Sequence, residues 1–290
     1  MIRYDISVKQ LETAVDALAP TWRKRAAKRT ARFIKAGRYQ EASAIWSEVK
    51  PAFMVAQMNK CVFCERQFET ELYGKIEFDL EHFRPKSSVT AWPVVGRHAH
   101  TYQFATGNDS PNGYYWLAYA LSNYAASCKS CNSNLKSNYF PIAGARTAVP
   151  GDLGPEQPYL CYPLGSGDAD PETLITFVAT TAVPKAAEGH DRRRAEVIID
   201  FFELNTREEL HRQRANMIIV LGTALKSLEA GGDDLDRELA ERIVEKRFPH
   251  TNCLRAFRAL WDDDRDLARR ILAACKAYYA GAAGAKPPIV

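Results

Sequence analysis

Apolar residues recur at helical spacing from the start of the chain. Val8, Leu11, Val15 and Leu18 fall three or four apart, which predicts a helix that Pro20 ends. Residues 22–38 read as a second helix, closing near Gly37. Residues 42–58 carry Ile45, Trp46, Val49, Phe53 and Met54, with an interruption or kink at Pro51. The period then changes. Across 75–82, Ile76, Phe78, Leu80 and His82 alternate with other residues, the signature of a strand. Residues 87–113 are rich in Gly, Pro, Asn and His and predict a long loop. An aromatic helical segment at 114–121, a short strand at 123–127 and a short helix at 131–138 follow.

Residues 141–188 hold many Pro, Gly and Asp and predict loops with a few strands, 176–178 among them. Helical periodicity returns at 189–280. Val197, Ile198, Phe201, Phe202 and Leu204 mark one helix, 208–228 a second, and a break at Gly231-Gly232 precedes two more, 235–247 and 252–280. The expected fold is mainly α with a small α+β core. Its expected organisation is an N-terminal helical, basic region (1–58), a core carrying the chemistry (59–145), a loop-rich connector (146–188), a C-terminal helical region (189–283) and a loose tail (284–290).

Composition adds a charge asymmetry. The 290 residues carry a formal net charge of only +4. Yet residues 22–38 contain Arg23, Lys24, Arg25, Lys28, Arg29, Arg32, Lys35 and Arg38 and no acid, and residues 110–151 lack Asp and Glu altogether. A basic front half suits a polyanion, with Arg25, Lys28, Arg29 and Arg32 as candidate nucleic-acid contacts. A solvated helix face is the plainer alternative. No stretch reaches the roughly 20 apolar residues of a membrane span, and the N-terminus has no apolar signal core, so a cytoplasmic protein without membrane partners is expected.

Cysteine spacing gives the sharpest chemical signal. Cys61-Val62-Phe63-Cys64 and Cys128-Lys129-Ser130-Cys131 are two Cys-x-x-Cys pairs, each placing two thiolates on one turn. Together they make a closed, structural zinc shell. The 63 residues between Cys64 and Cys128 exceed a simple ribbon, so an insert with its own task is expected inside the staple. Cys161, Cys253 and Cys275 stand apart and read as buried small hydrophobes.

The insert contains Glu81-His82, and Asn132 follows Cys131 directly. Glu81 offers oxygen to a hard cation, Asn132 a second oxygen, and His82 a general base near neutral pH. Adjacent strand residues point to opposite faces, so Glu81 and His82 converge only where the strand ends or bends, as Pro85 suggests. Arg84, Lys86 and Lys136 are candidate nucleic-acid contacts, Arg84 and Lys136 meeting phosphate. Tyr114, Tyr115, Trp116 and Tyr119 stack bases or fill a core, with core the expected role. His98 and His100 could form an extra metal site, with ordinary loop residues the expected reading.

Over 61–141 these residues resemble the HNH endonucleases with a ββα-metal core, in the version closed by a four-cysteine zinc site. The resemblance is carried by Cys61-Val62-Phe63-Cys64-Glu65, Glu81-His82-Phe83-Arg84-Pro85-Lys86, Tyr114-Tyr115-Trp116-Leu117-Ala118-Tyr119 with Asn123, Ser127-Cys128-Lys129-Ser130-Cys131-Asn132 and Tyr139-Phe140-Pro141. It implies a zinc-stapled ββα-metal core flanked by helical regions. It also implies His82 as general base, Asn123 as the residue that orients the base and holds its loop, and Glu81 and Asn132 as ligands of one Mg²⁺ or Mn²⁺. Phosphodiester hydrolysis with 5′-phosphate and 3′-hydroxyl ends would follow. Some members of that group are nuclease subunits of bacterial anti-phage systems, Septu-type and retron-associated, that pair with an ATPase. The resemblance therefore implies a defence role and an ATPase partner.

DNA is the favoured substrate. RNA, including tRNA, is the alternative, because the core reads a phosphodiester rather than a sugar. A silent zinc-stapled binding or adaptor protein is the reading from outside enzymology, and the presence of Glu81, His82, Asn123 and Asn132 together argues against it. The flanking helices exceed what a small core needs, which leaves room for a partner or a second copy of the chain.

Overall fold

The fold was analysed in a computed structural model that describes residues 1–68, 77–281 and 286–288. The chain divides into two compact units, residues 3–62 with 68–169, and residues 1–2 with 63–67 and 170–290. Both are helical with one small two-stranded antiparallel sheet each.

In the first unit, α1 spans Val8–Leu18 behind a capping box of Ser7 and Gln10, and buries Leu11 and Val15. The second helix, α2 (Trp22–Ala36), ends where Gly37 takes a left-handed conformation, φ +65°. Its buried face holds Trp22, Ala26 and Phe33, so the basic residues lie on its outer face. Of the interruption or kink expected at Pro51, the interruption is what occurs, just before it. A 3₁₀ turn at Trp46–Val49 leads into α3 (Lys50–Ala56), and Pro51 sits in the first turn, where its missing N–H costs no intrahelical bond.

Strand β1 (Phe78–His82) pairs antiparallel with β2 (Tyr124–Cys128), in the register Phe78 to Cys128 and His82 to Tyr124. Residues 75 and 76 of the expected strand lie outside the described residues. The expected strand 123–127 is shifted by one residue, because Asn123 still closes a 3₁₀ turn, Leu121–Asn123. The aromatic segment 114–121 is not a helix. It is a pair of short turns whose Tyr114, Tyr115, Trp116 and Tyr119 are all buried, in agreement with the core reading. After β2, Ser130–Lys136 forms a wide π-helical segment.

The long loop is held at both ends. Val89 and Ser110 exchange backbone hydrogen bonds of 2.7 and 2.8 Å. Gly113 adopts φ +53°, and a Cβ there would lie 2.5 Å from the Pro85 carbonyl oxygen. Only glycine admits that approach, which lets the Tyr114 N–H donate to Pro85 O at 2.8 Å.

The second unit packs a short helix α4 (Pro171–Leu174) and strands β3 (Ile175–Val178) and β4 (Thr181–Pro184) with α5 (Gly189–Phe201), α6 (Glu208–Glu229), α7 (Asp234–Arg242), α8 (Thr251–Asp263) and α9 (Arg265–Tyr279). Leu221, Leu254, Phe257, Trp261, Ile271 and Cys275 lie in one core. Two expectations change here. The helix expected over 235–247 ends at Arg242, and the single helix expected over 252–280 is two. Asp264 leaves helical geometry and its carboxylate accepts from Leu267 N–H at 2.9 Å, capping α9. Cys161, Cys253 and Cys275 are buried, as expected. The tail expected to be loose, 284–290, lies outside the described residues apart from 286–288. Among the described residues no helix is long and apolar enough to cross a membrane.

Candidate metal and catalytic site

The two Cys-x-x-Cys turns meet. Cys61, Cys64, Cys128 and Cys131 are buried, and their sulfurs all lie within 4.8 Å of one another. A tetrahedral zinc with ~2.3 Å bonds needs sulfurs roughly 3.8 Å apart, so the cluster fits that ion with little movement. Polar groups surround one of the sulfurs. The Cys128 N–H donates to Cys61 Sγ at 3.4 Å, and Ser127 Oγ lies 3.8 Å from it. The backbone donor aimed at this sulfur suits a thiolate bound to a cation.

Buried Gln57 holds the first turn against β2. Its amide nitrogen donates to Ala126 O at 2.8 Å and to Lys60 O at 3.0 Å, and its amide oxygen accepts from Ala126 N–H at 2.7 Å. No spacing rule points to Gln57, because the partner it completes is main chain.

Beside the sheet lies a cavity of about 320 Å³ whose lining includes Trp46, Lys50, Glu81, His82, Lys86 and Asn132. The sequence-nominated metal ligands and base are therefore brought together. His82 is the last residue of β1 and Glu81 the one before it, so the strand end lets neighbours share one cavity. His82 Nε2 lies 3.0 Å from Ala118 O. A carbonyl only accepts, so Nε2 carries the proton and Nδ1 is left as the basic nitrogen. Tyr124 O–H donates to the same carbonyl at 2.5 Å. The Trp46 and Tyr124 rings meet the imidazole edge to face, 4.9 and 5.0 Å away. Burial, with smaller contributions from Lys86 and Lys136, holds His82 well below the usual histidine range, so the ring is neutral at pH 7.

Glu81 is buried, and burial pushes its carboxyl up to about 7 although Lys136 opposes the shift. Lys136 Nζ lies 3.4 Å from Glu81 Oε1 and is wholly buried. The Asn132 carbonyl accepts from Ser137 N–H at 2.7 Å, while its side-chain amide makes no hydrogen bond among the described residues. A buried carboxylate and an uncommitted amide oxygen on one cavity are a donor set that suits a hard divalent cation.

Asn123 lies apart from this cavity. Its side-chain oxygen accepts from Arg84 N–H at 2.8 Å, and its nitrogen donates to Arg84 O at 3.0 Å and to Leu117 O at 3.2 Å. The Asn123 carbonyl also accepts from Phe83 N–H at 2.8 Å. Asn123 thus clips the chain just after His82 to the turn that supplies Ala118.

The candidate nucleic-acid residues are distributed unevenly. Lys86 lines the cavity. Arg84 is not among its lining residues. Its guanidinium pairs with fully buried Glu156 and lies over the Phe140 and Tyr114 rings, 4.7 and 5.2 Å from their centroids. Lys136 faces Glu81 from a wholly buried position. On α2, Arg25 pairs with Glu48 and Arg29 with Glu41, and Arg32 lies 3.5 Å from Glu41, while Lys28 is exposed. In the loop, His98 Nδ1 accepts from Val94 N–H at 2.9 Å, a structural role. Trp46, Lys50 and the Ala118 carbonyl were not nominated by sequence reasoning. Trp46 and Lys50 lie outside the cysteine-bracketed segment, and a carbonyl has no residue type.

Over 160 residues the chain is 32% identical to the Septu protein PtuB of Bacillus mycoides (strain KBAB4), a stretch that covers 54% of this chain and 46% of that protein. The chain thus spans less than half the length of that relative. No family model and no solved structure matches.

Proposed function

We propose that the chain is a metal-dependent HNH endonuclease and acts as the nuclease component of a Septu-type anti-phage defence system. The observation that carries the enzymatic part is the single cavity lined by Glu81, His82 and Asn132, with His82 held as the tautomer whose Nδ1 is basic. The antiparallel pair β1–β2 followed by the segment Ser130–Lys136 supplies a ββα order around it. The likeness to a Septu protein supports the defence role and a partner subunit, an ATPase by the resemblance stated above.

His82 Nδ1 takes a proton from water as the oxygen attacks phosphorus. Ala118 O keeps the imidazole oriented through the transfer and stabilises the imidazolium that forms. The bond from phosphorus to the 3′-oxygen breaks, and the departing oxygen leaves as a 3′-hydroxyl after taking a proton from solvent. Glu81 and Asn132 would hold Mg²⁺ or Mn²⁺, which supplies charge neutralisation at the phosphate and the leaving oxygen. The four cysteines would hold zinc away from the reaction, since four thiolates leave no open position. DNA is the favoured substrate, with RNA as the alternative.

The test is cleavage of plasmid DNA and total tRNA in parallel, with Mg²⁺ or Mn²⁺. Metal-dependent cutting is expected. Removing the base in His82→Ala should lower the rate by about 10²–10⁴-fold without loss of the bound zinc. Cutting by His82→Ala at the wild-type rate would remove the histidine from this role.

A further inference from the structure

Trp46 reaches the cavity from the 3₁₀ turn before α3, far in sequence from the cysteine-bracketed insert. Its indole makes two different contacts. The His82 imidazole packs against it at 4.9 Å with the planes 89° apart. The Lys86 ammonium lies over it, 4.5 Å from the ring centroid, and 5.3 Å from the centroid of Tyr39. One aromatic ring therefore fixes the spacing between the candidate base and a cation.

Lys86 is half-buried, and the water it loses favours its neutral form, whereas Glu81 and Glu41 favour the charged one from a distance. Among the described residues no carboxylate comes within salt-bridge reach of its ammonium. A half-buried cation resting on ring faces, without a close counter-ion, is a site for an incoming anion. Lys136 differs, being committed to Glu81, and so does Lys50, whose ammonium lies 3.7 Å from Asp79. The cavity thus offers Lys86 as the cation whose nearest partners are ring faces, and it is beside the base.

We propose that Lys86, seated on the Trp46 ring, forms an oxyanion subsite for the phosphate group beside His82, and that Trp46 is the positioning residue that sets this cation. Its place in catalysis rests on the nuclease reading, whereas its recognition of phosphate oxygens does not. A phosphodiester carries one negative charge in the ground state and more as hydroxide adds. An ammonium fixed on ring faces therefore acts chiefly on the transition state.

Two measurements on the full chain, with zinc present, test this. In the first, inorganic phosphate is titrated without Mg²⁺ while ¹³C-methylated lysines are followed by NMR. The resonance assigned by its loss in Lys86→Met should shift, whereas that of exposed Lys24 should not. In the second, hydrolysis of bis(p-nitrophenyl) phosphate is measured with Mn²⁺. Lys86→Met should lower kcat by about 10²–10³-fold with little change in KM. Trp46→Phe should keep most of the activity and Trp46→Leu should not, in variants whose thermal midpoints match the wild type. A Lys86 resonance that phosphate leaves unmoved, or a Lys86→Met enzyme with wild-type kcat, overturns the subsite. A wild-type chain that binds phosphate at Lys86 yet cleaves no phosphodiester upholds the subsite and overturns the nuclease reading instead.

Discussion

At the scale of single residues, Arg84 and Glu156 show how an anchor differs from a ligand. Glu156 is fully buried and accepts from Tyr114 O–H at 3.0 Å and from Thr147 N–H at 2.7 Å, besides its pairing with Arg84. Glu156→Ala would leave the guanidinium buried without its counter-ion, at a cost of about 3–5 kcal/mol. Glu156→Gln, which keeps an acceptor for Tyr114, should cost less. Urea unfolding of the two variants measures this, and coincident wild-type midpoints would show that the pair contributes nothing. Sequence placed the four cysteines, Glu81, His82 and Asn132 because metal and proton chemistry demand those side chains at short spacings. Arg84 was harder to place. Its nearness to His82 is visible in the sequence, but its partner lies 72 residues further on.

At the scale of elements, the helical period was enough to find α1, α2 and α6 with nearly their observed limits, and α5 without its end. It failed at the boundary between α8 and α9, because the apolar pattern continues through the break and only the Asp264 cap marks it. Asp264→Ala should cost about 1 kcal/mol by leaving the first N–H groups of α9 without an acceptor. Asp264→Asn should retain most of that stability, and a thermal shift equal to that of Asp264→Ala would argue against the cap. The turns within 114–121 also carry the look of a helix in sequence. Their aromatic residues face a core through turn geometry rather than through a helical stripe, and one sequence does not separate these.

At the scale of the whole molecule, the four-cysteine cluster joins turns separated by 63 residues of sequence. Purified chain should contain about one zinc, counted by metal analysis, as one closed four-thiolate shell requires. Removing it would leave four buried thiols without their cation and should lower the thermal midpoint. Protein free of zinc that unfolds at the same temperature would show that the cysteines act only as apolar filling. The mainly α class with a small sheet was legible because period and length separate long helices from the short alternating segment. Which residues form each compact unit was not legible, since residues 63–67 group with 170–290 through contacts that no local pattern encodes.

The oxygen that fixes the His82 tautomer belongs to the main chain at Ala118. Replacing the side chain at that position leaves the oxygen in place, so the setting of the imidazole is insulated from direct mutation there. It can be altered only by bending the turn itself. Searches for variants with a changed proton donor or acceptor should therefore look to residues that hold the turn, such as Asn123 through Leu117, rather than to the acceptor's own codon.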